Sequence, residues 1–170
     1  SKTCGGSSGG AAVALATRMV SISDGSDMMG SLRNPAAWNN VYGLRPTWGL
    51  ISPEPSGEIF LSQLSTLGPM ARSPKDLAML LDVQANRAEN RSFISSVTTF
   101  SDFTKKPIMK GIKVGWLGDW GGTLAFEEDL LDLSQEGLNE MSSMGAIIHD
   151  LKAPFEMNDI WTSWSELRAW

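Results

Sequence analysis

Apolar residues recur along this chain with two different periods. A spacing of three to four residues predicts a helix, whereas short apolar or alternating segments bounded by turn residues predict strands. The predicted helices, including one inferred mainly from alanine content, are 8–18, 73–86, 126–144 and 157–170. The predicted strands are 20–25, 112–118 and 146–151. Strand, helix and strand follow one another over 112–151, which indicates a βαβ unit with parallel pairing.

Three segments fit neither period. Residues 26–52 and 53–71 are rich in glycine and proline, and we expect them to be mostly loops and turns. Residues 87–110 are polar and are predicted to form an irregular excursion. The pattern as a whole predicts an α/β fold, with a mixed β-sheet flanked by helices.

The helix boundaries carry their own signals. Ser73 is a typical N-cap, Pro74 suits the first helical position, and Asp76 places negative charge in the first turn. At the other end of the chain, Gly145 is predicted to terminate the helix over 126–144.

Composition narrows the classes of function. Apolar residues make up 42% of the chain and charged residues 19%, which is enough to fill a core. The net charge of −5, with no basic cluster, argues against a nucleic-acid partner, and no apolar segment is long enough to span a membrane. The single cysteine, Cys4, favours a cytoplasmic location. The single histidine, His149, is expected to have a structural or surface role. The chain lacks an initiator methionine, so we expect it to be part of a longer protein.

The glycine-serine segment "GGSSGG" at 5–10 is the first candidate site. A phosphate-binding loop would place a lysine after its last glycine, but Ala11 follows Gly10 here. Nucleotide binding is therefore disfavoured. A tight turn leading into a helix is the plain structural alternative.

The segment "SDMMGSLR" at 26–33 is the second candidate. Ser31 follows Gly30 in a predicted loop, where backbone amides beside a hydroxyl can form an oxyanion hole. Asp27 and Arg33 carry opposite charges on either side of Ser31. They can pair and hold the loop in one shape.

Taken together, these segments resemble the signature region of the amidase signature family of serine hydrolases. The ordered string is "GGSSGGAAVALA", then "DGSDMMGSLRNPAAWNNVYGLRPTWGLIS", then "LSTLGPMARSPKDLAMLLDV". The resemblance is strong over 1–83 and weaker over 111–156, where only the strand-helix-strand pattern fits. It implies that residues 1–170 form part of one amidase signature domain.

The resemblance implies a Ser-Ser-Lys mechanism without metal or cofactor. Ser31 matches the nucleophile, and Ser7 matches a serine that follows a cis peptide bond and relays the proton. The backbone N–H groups of Met28, Met29, Gly30 and Ser31 match the oxyanion hole. A serine hydroxyl needs such a base-driven relay because it is a weak nucleophile at neutral pH.

Two departures from the family pattern stand out. Met29 occupies a position where the family usually has glycine, which disfavours a positive φ there. The family lysine lies well upstream of the glycine-serine block, and Lys2 is too near to match it. The chain alone is therefore expected to lack its general base and to be inactive.

Three functions follow as hypotheses. The first is an amidase that hydrolyses a small-molecule carboxylic amide through an acyl-enzyme on Ser31. The second is a component of a glutamine-dependent amidotransferase, which would work with partner subunits. The third is a non-catalytic fragment or binding module with the same fold.

Overall fold

The computed structural model describes residues 2–51, 63–86, 99–104, 108–127 and 129–169. It divides into two compact units, Ser1–Pro107 and Ile108–Trp170. The predicted irregular segments at 53–71 and 87–110 fall partly outside the described residues. Among the described residues, no helix combines the length and apolarity needed to cross a membrane.

The first unit contains a three-stranded antiparallel sheet. Strand β1 (Ile22–Asp27) and strand β2 (Tyr42–Gly43) lie on either side of β3 (Thr66–Ala71). β1 pairs with β3 along its whole length, with Ile22 opposite Ala71 and Asp27 opposite Thr66. Asp27 therefore ends β1 at the edge of the sheet where the segment leading to β3 arrives.

Helices and one 3₁₀ segment complete this unit. They are α1 (Gly9–Ala16), α2 (Arg33–Trp38), α3 (Pro74–Asn86) and a 3₁₀ helix (Phe100–Thr104). The buried core draws on both short helices and on the central strand, and it consists of Ala12, Leu15, Leu32, Ala36 and Met70. Small side chains let α1 lie close to β3 and α2 lie close to β2, where a Cβ at Gly43 would be 2.6 Å from the Cβ of Ala36.

The central strand β3 corrects the sequence prediction. Its sequence TLGPMA falls in the segment predicted to be turns, because glycine and proline weaken strands. In the fold, the backbone at Leu44 approaches position 68 so closely that a glycine is required there. A Cβ at Gly68 would lie 2.1 Å from the Leu44 carbonyl oxygen. Likewise, α2 and β2 interrupt the segment 26–52 that was expected to be mostly irregular.

The second unit contains the predicted βαβ pattern. Strand β4 (Lys113–Trp116) pairs in parallel with β5 (Ile147–Asp150), and α4 (Leu130–Ser143) connects them. A final helix, α5 (Met157–Ala169), follows. The predicted strands, helix and parallel pairing in this region are thus confirmed.

The predicted start of α3 and the predicted end of α4 also agree with the structure, whereas α4 begins at Leu130 and not at residue 126. The Asp76 N–H donates to Ser73 Oγ at 3.1 Å, and the Ser73 hydroxyl donates to Asp76 Oδ2 at 2.8 Å. At the end of α4, Gly145 has φ of 98° and its N–H donates to the Ser142 carbonyl. The next N–H, of Ala146, donates to the Met141 carbonyl, which completes a Schellman motif.

Candidate functional site

Ser7 lies in the turn that leads into α1. The peptide bond between Gly6 and Ser7 is cis, and Ser7 is exposed. Gly9 opens the helix directly afterwards and is buried. The chain therefore presents a hydroxyl at a non-proline cis bond, at the position where the sequence resemblance implies one.

Ser31 lies in the loop between β1 and α2. Asp27 ends the strand, Arg33 begins the helix, and Ser31 is half-buried between them. Met28 and Met29 are exposed on the same loop. We refer to residues 27–33 as the nucleophile loop, after the role that the sequence resemblance implies for Ser31.

A hydrogen bond joins the two serine-bearing segments. The Ser8 N–H donates to the Ser31 carbonyl oxygen at 2.9 Å, and the Ser8 hydroxyl donates to the Ser26 carbonyl at 3.4 Å. Gly25 leaves room for this contact, because a Cβ there would lie 2.5 Å from Ser8 Oγ. The turn that carries Ser7 therefore lies against the nucleophile loop.

The Asp27 carboxylate organises the nucleophile loop. It is fully buried and accepts from the Gly30 N–H at 2.7 Å and the Arg33 N–H at 3.2 Å. The Arg33 guanidinium donates to both carboxylate oxygens, with Nε at 2.8 Å and Nη2 at 3.1 Å. Asp27 and Arg33 thus pair across Ser31 and fold the loop around one charge.

These contacts determine the ionisation of Asp27. Burial acts to raise the pKa of its carboxyl, but the hydrogen bonds from Arg33 and Gly30 outweigh burial and lower the pKa from 3.8 to about 2. The same pairing raises the pKa of Arg33. Asp27 is therefore a carboxylate at neutral pH, which suits it to holding the loop and not to carrying protons.

The loop amides are not equivalent. The Gly30 N–H already donates to Asp27, so its inclusion among the oxyanion donors does not fit this arrangement. The Gly30 carbonyl accepts from the Asn34 N–H at 2.8 Å. Because C=O and N–H point in opposite directions across a trans peptide, the Ser31 N–H points away from α2. Within the part of the chain that the structure describes, the N–H groups of Met28, Met29 and Ser31 have no backbone partner in the turns and loops.

The loop also explains why methionine is tolerated beside Ser31. Gly30 carries the positive φ, 95°, and a Cβ there would lie 2.7 Å from the Asn34 side chain. Met29 does not adopt a positive φ. The loop therefore requires a positive φ at Gly30, which is a glycine in this chain, and not at Met29.

Arg45 was not identified from the sequence as a site residue. Its Nη1 donates to the Met28 carbonyl at 3.3 Å, and its Nη2 donates to the Leu64 carbonyl at 2.8 Å. Its signal in the sequence is its place in "GLRPTWG" at 43–49, a segment of the family pattern.

The described residues contain no group of three or more metal-binding side chains suited to hold an ion. A cavity of about 320 Å³ occurs within the second unit and contains no predicted site residue. It is lined by Asp119, Leu124, Phe126, Glu127, Asp129, Leu131 and Asp132. His149 is exposed on β5, which agrees with a surface role.

Comparison with known proteins yields a consistent set of relatives. The family model described as Amidase matches residues 1–165. The A subunit of glutamyl-tRNA(Gln) amidotransferase from Ligilactobacillus salivarius is 35% identical over 156 residues, covering 90% of this chain and 31% of that protein. The Streptococcus mutans protein of the same name is 36% identical over the same length. This chain thus spans about 31% of the length of these relatives.

Several solved structures are similar to this chain as well. A 6-aminohexanoate cyclic dimer hydrolase is 26% identical with a TM-score of 0.76, covering 87% of this chain and 32% of that one. The A subunit of the Thermotoga maritima glutamyl-tRNA(Gln) amidotransferase is 28% identical with a TM-score of 0.73, covering 89% and 33%. A bacterial aryl acylamidase, 24% identical with a TM-score of 0.86, has the same fold over 96% of this chain and 34% of its own.

Proposed function

Since this chain belongs to the amidase signature family, we propose that the protein of which it forms part hydrolyses a carboxylic amide through an acyl-enzyme on Ser31. The observation that carries the proposal is the hydrogen bond from the Ser8 N–H to the Ser31 carbonyl. It brings the cis Gly6–Ser7 turn against the nucleophile loop, which supports the proposal that Ser7 and Ser31 act together.

In this mechanism, Ser31 Oγ attacks the amide carbonyl and passes its proton to Ser7 Oγ. A hydroxyl accepts one hydrogen bond while donating another, so Ser7 passes its own proton to the base. We propose that the base is a neutral lysine located upstream of Ser1 in the parent protein. Burial lowers the pKa of a lysine and so makes the neutral form available.

The tetrahedral intermediate places a negative charge on the former carbonyl oxygen. We assign its stabilisation to the N–H groups of Met28, Met29 and Ser31, and not to that of Gly30, which Asp27 occupies. Collapse of the intermediate expels the amine, which takes the proton back through the relay. Water then hydrolyses the ester on Ser31 by the same route.

The proposal is tested by replacing each serine in the parent protein. With a small aryl amide as substrate, Ser31→Ala is expected to abolish both turnover and the acyl adduct on the protein seen by mass spectrometry. Ser7→Ala is expected to lower kcat by about 10²–10⁴-fold, the usual contribution of a proton-transfer group. Ser21→Ala, at an exposed serine outside both loops, is the matched control. An acyl adduct that persists in Ser31→Ala would contradict the assignment of the nucleophile.

The second candidate function is that of a glutamine-dependent amidotransferase subunit, and it is supported by the similarity to such subunits. Curated proteins that are 35–36% identical to this chain are amidotransferase subunits, so the parent could release ammonia from glutamine for a partner. Ammonia release from glutamine, together with co-purifying subunits, would favour this function. Hydrolysis of aryl amides by the parent protein alone would favour the amidase.

A further inference from the structure

Arg45 contacts the nucleophile loop from outside it. Its Nη1 lies 3.3 Å from the Met28 carbonyl oxygen and 3.5 Å from Asp27 Oδ1. Its Nη2 donates to the Leu64 carbonyl at 2.8 Å. The Arg45 side chain is only 27% exposed, so these contacts are partly shielded from water. The mechanism proposed above makes no use of this residue.

The contact with Met28 constrains the next amide group. Gly6–Ser7 is the cis bond among the described residues, so the peptide between Met28 and Met29 is trans. In a planar trans peptide, the C=O and N–H groups point in opposite directions. Holding the Met28 carbonyl towards Arg45 therefore directs the Met29 N–H to the opposite side of the loop.

The other end of the guanidinium contacts the chain just before strand β3. Leu64 lies just before β3, and β3 pairs with β1 up to Asp27. Arg45 thus links the loop to the framework that begins at Thr66. A guanidinium suits this task because its rigid fork donates in several directions at once, whereas a lysine offers a single point charge.

We propose that Arg45 is a positioning residue that orients the Met29 N–H as an oxyanion donor. The inference rests on the proposed function, in which that amide stabilises the tetrahedral intermediate. An oriented donor acts mainly when negative charge develops on the substrate oxygen, so its loss affects the transition state more than substrate binding.

The test compares two arginine replacements in the full-length protein. Arg45→Met keeps the length of the side chain and removes every donor. Arg72→Met is the matched control, because Arg72 Nη1 also donates to backbone carbonyls, those of Leu15 and Val20, but away from the nucleophile loop. Kinetics with an aryl amide, inhibition by a trifluoromethyl ketone and thermal unfolding are measured for both variants.

Arg45→Met is expected to lower kcat by about 10–100-fold with KM within about threefold, since loss of a whole oxyanion donor costs about 10²–10³-fold. Affinity for the trifluoromethyl ketone, which forms an oxyanion on Ser31, is expected to fall in the same ratio. Arg72→Met is expected to lose similar thermal stability but to keep kcat within about twofold. Arg45→Lys retains one donor and is expected to recover part of kcat.

Three results would overturn the inference. One is a wild-type kcat in Arg45→Met, and another is an equal loss of kcat in Arg72→Met. The third is a rise in KM without a change in kcat, which would indicate a role in substrate binding. In each case Ser31→Ala would still abolish turnover and the proposed function would stand. If Ser31→Ala left turnover intact, the proposed function would fail and this inference with it.

Discussion

At the scale of single residues, Asp27 holds the loop that carries Ser31. A buried carboxylate is unfavourable unless donors surround it. Here the donors are the backbone of Gly30 and Arg33 and the side chain of Arg33, all from the loop that carries Ser31. One charge thus sets the path of the backbone on both sides of the proposed nucleophile.

This arrangement predicts a pH-dependent stability. The pKa of Asp27 falls from 3.8 to about 2 in the folded chain, so its contribution is fully present above about pH 4. The contribution is lost as the pH falls from about 4 to about 2, and it amounts to about 2 kcal/mol. Urea unfolding between pH 6 and pH 2 should therefore show that wild type and Asp27→Asn differ most near neutral pH and converge at low pH.

Asp24 provides the control for this measurement. It lies in the same strand but is exposed. Asp24→Asn should leave the free energy of unfolding within about 0.5 kcal/mol of wild type across this range. A constant difference between wild type and Asp27→Asn down to pH 2 would mean that the carboxylate contributes nothing through its ionisation.

At the scale of elements, the helix ends show most directly how sequence becomes structure. The Ser73–Asp76 cap and the Gly145 terminus were predicted from residue types alone, and both form. Each depends on residues within one helical turn. Such signals can be read from the sequence because the donor and the acceptor of each hydrogen bond lie within a few residues of each other.

Two glycines near α4 should respond oppositely to the same substitution. Gly145 has φ of 98°, and a Cβ there would lie 3.1 Å from Lys110 Cα, so Gly145→Ala should destabilise the protein by about 1–2 kcal/mol. Gly137 lies inside α4 with open space around it, so Gly137→Ala should stabilise the protein by about 0.5–1 kcal/mol. Urea unfolding of the two variants measures both values. Equal effects of the same sign would contradict the assigned helix end.

Strand β3 is the element that the sequence did not reveal. Gly68 and Pro69 are residues that usually interrupt strands, and no alternation of apolar residues offsets them. The strand forms because of tertiary contacts with neighbouring segments, which outweigh its weak local preference for a strand. β1 pairs along its whole length, and the chain after β2 approaches so closely that only glycine fits at position 68.

At the scale of the whole molecule, the chain spans about 31% of its curated relatives. The proposed mechanism draws its nucleophile and relay from the first 31 residues and its base from an upstream lysine. Before the glycine-serine block the chain contains one lysine, Lys2, which is exposed and lies too close to that block to match the lysine of the family pattern.

The 170-residue chain by itself is therefore expected to show no hydrolysis of an aryl amide above the rate of its own Ser31→Ala variant. The parent protein should hydrolyse the same amide. The rates of the two proteins are compared by following the release of the aryl amine by absorbance. Turnover by the short chain that disappears in Ser31→Ala would show that the base lies within residues 1–170.

The sequence by itself determined the four longer helices α1, α3, α4 and α5, the cap of α3, the glycine end of α4, the βαβ segment and the order of the serine motifs. It also indicated the family and placed Ser7, Asp27, Ser31 and Arg33 in one candidate site. These features depend on residue type and short spacing, which the chain carries locally.

Only the tertiary structure decided which groups meet. Pairing placed Gly68 and Pro69 in the central strand, and chain closure brought the Ser8 amide to the Ser31 carbonyl. It also assigned the Gly30 amide to Asp27 and directed Arg45 to Met28. Most of these contacts join segments that are distant in sequence. The contacts between distant segments depend on how the whole unit packs, and no local pattern of residues encodes them.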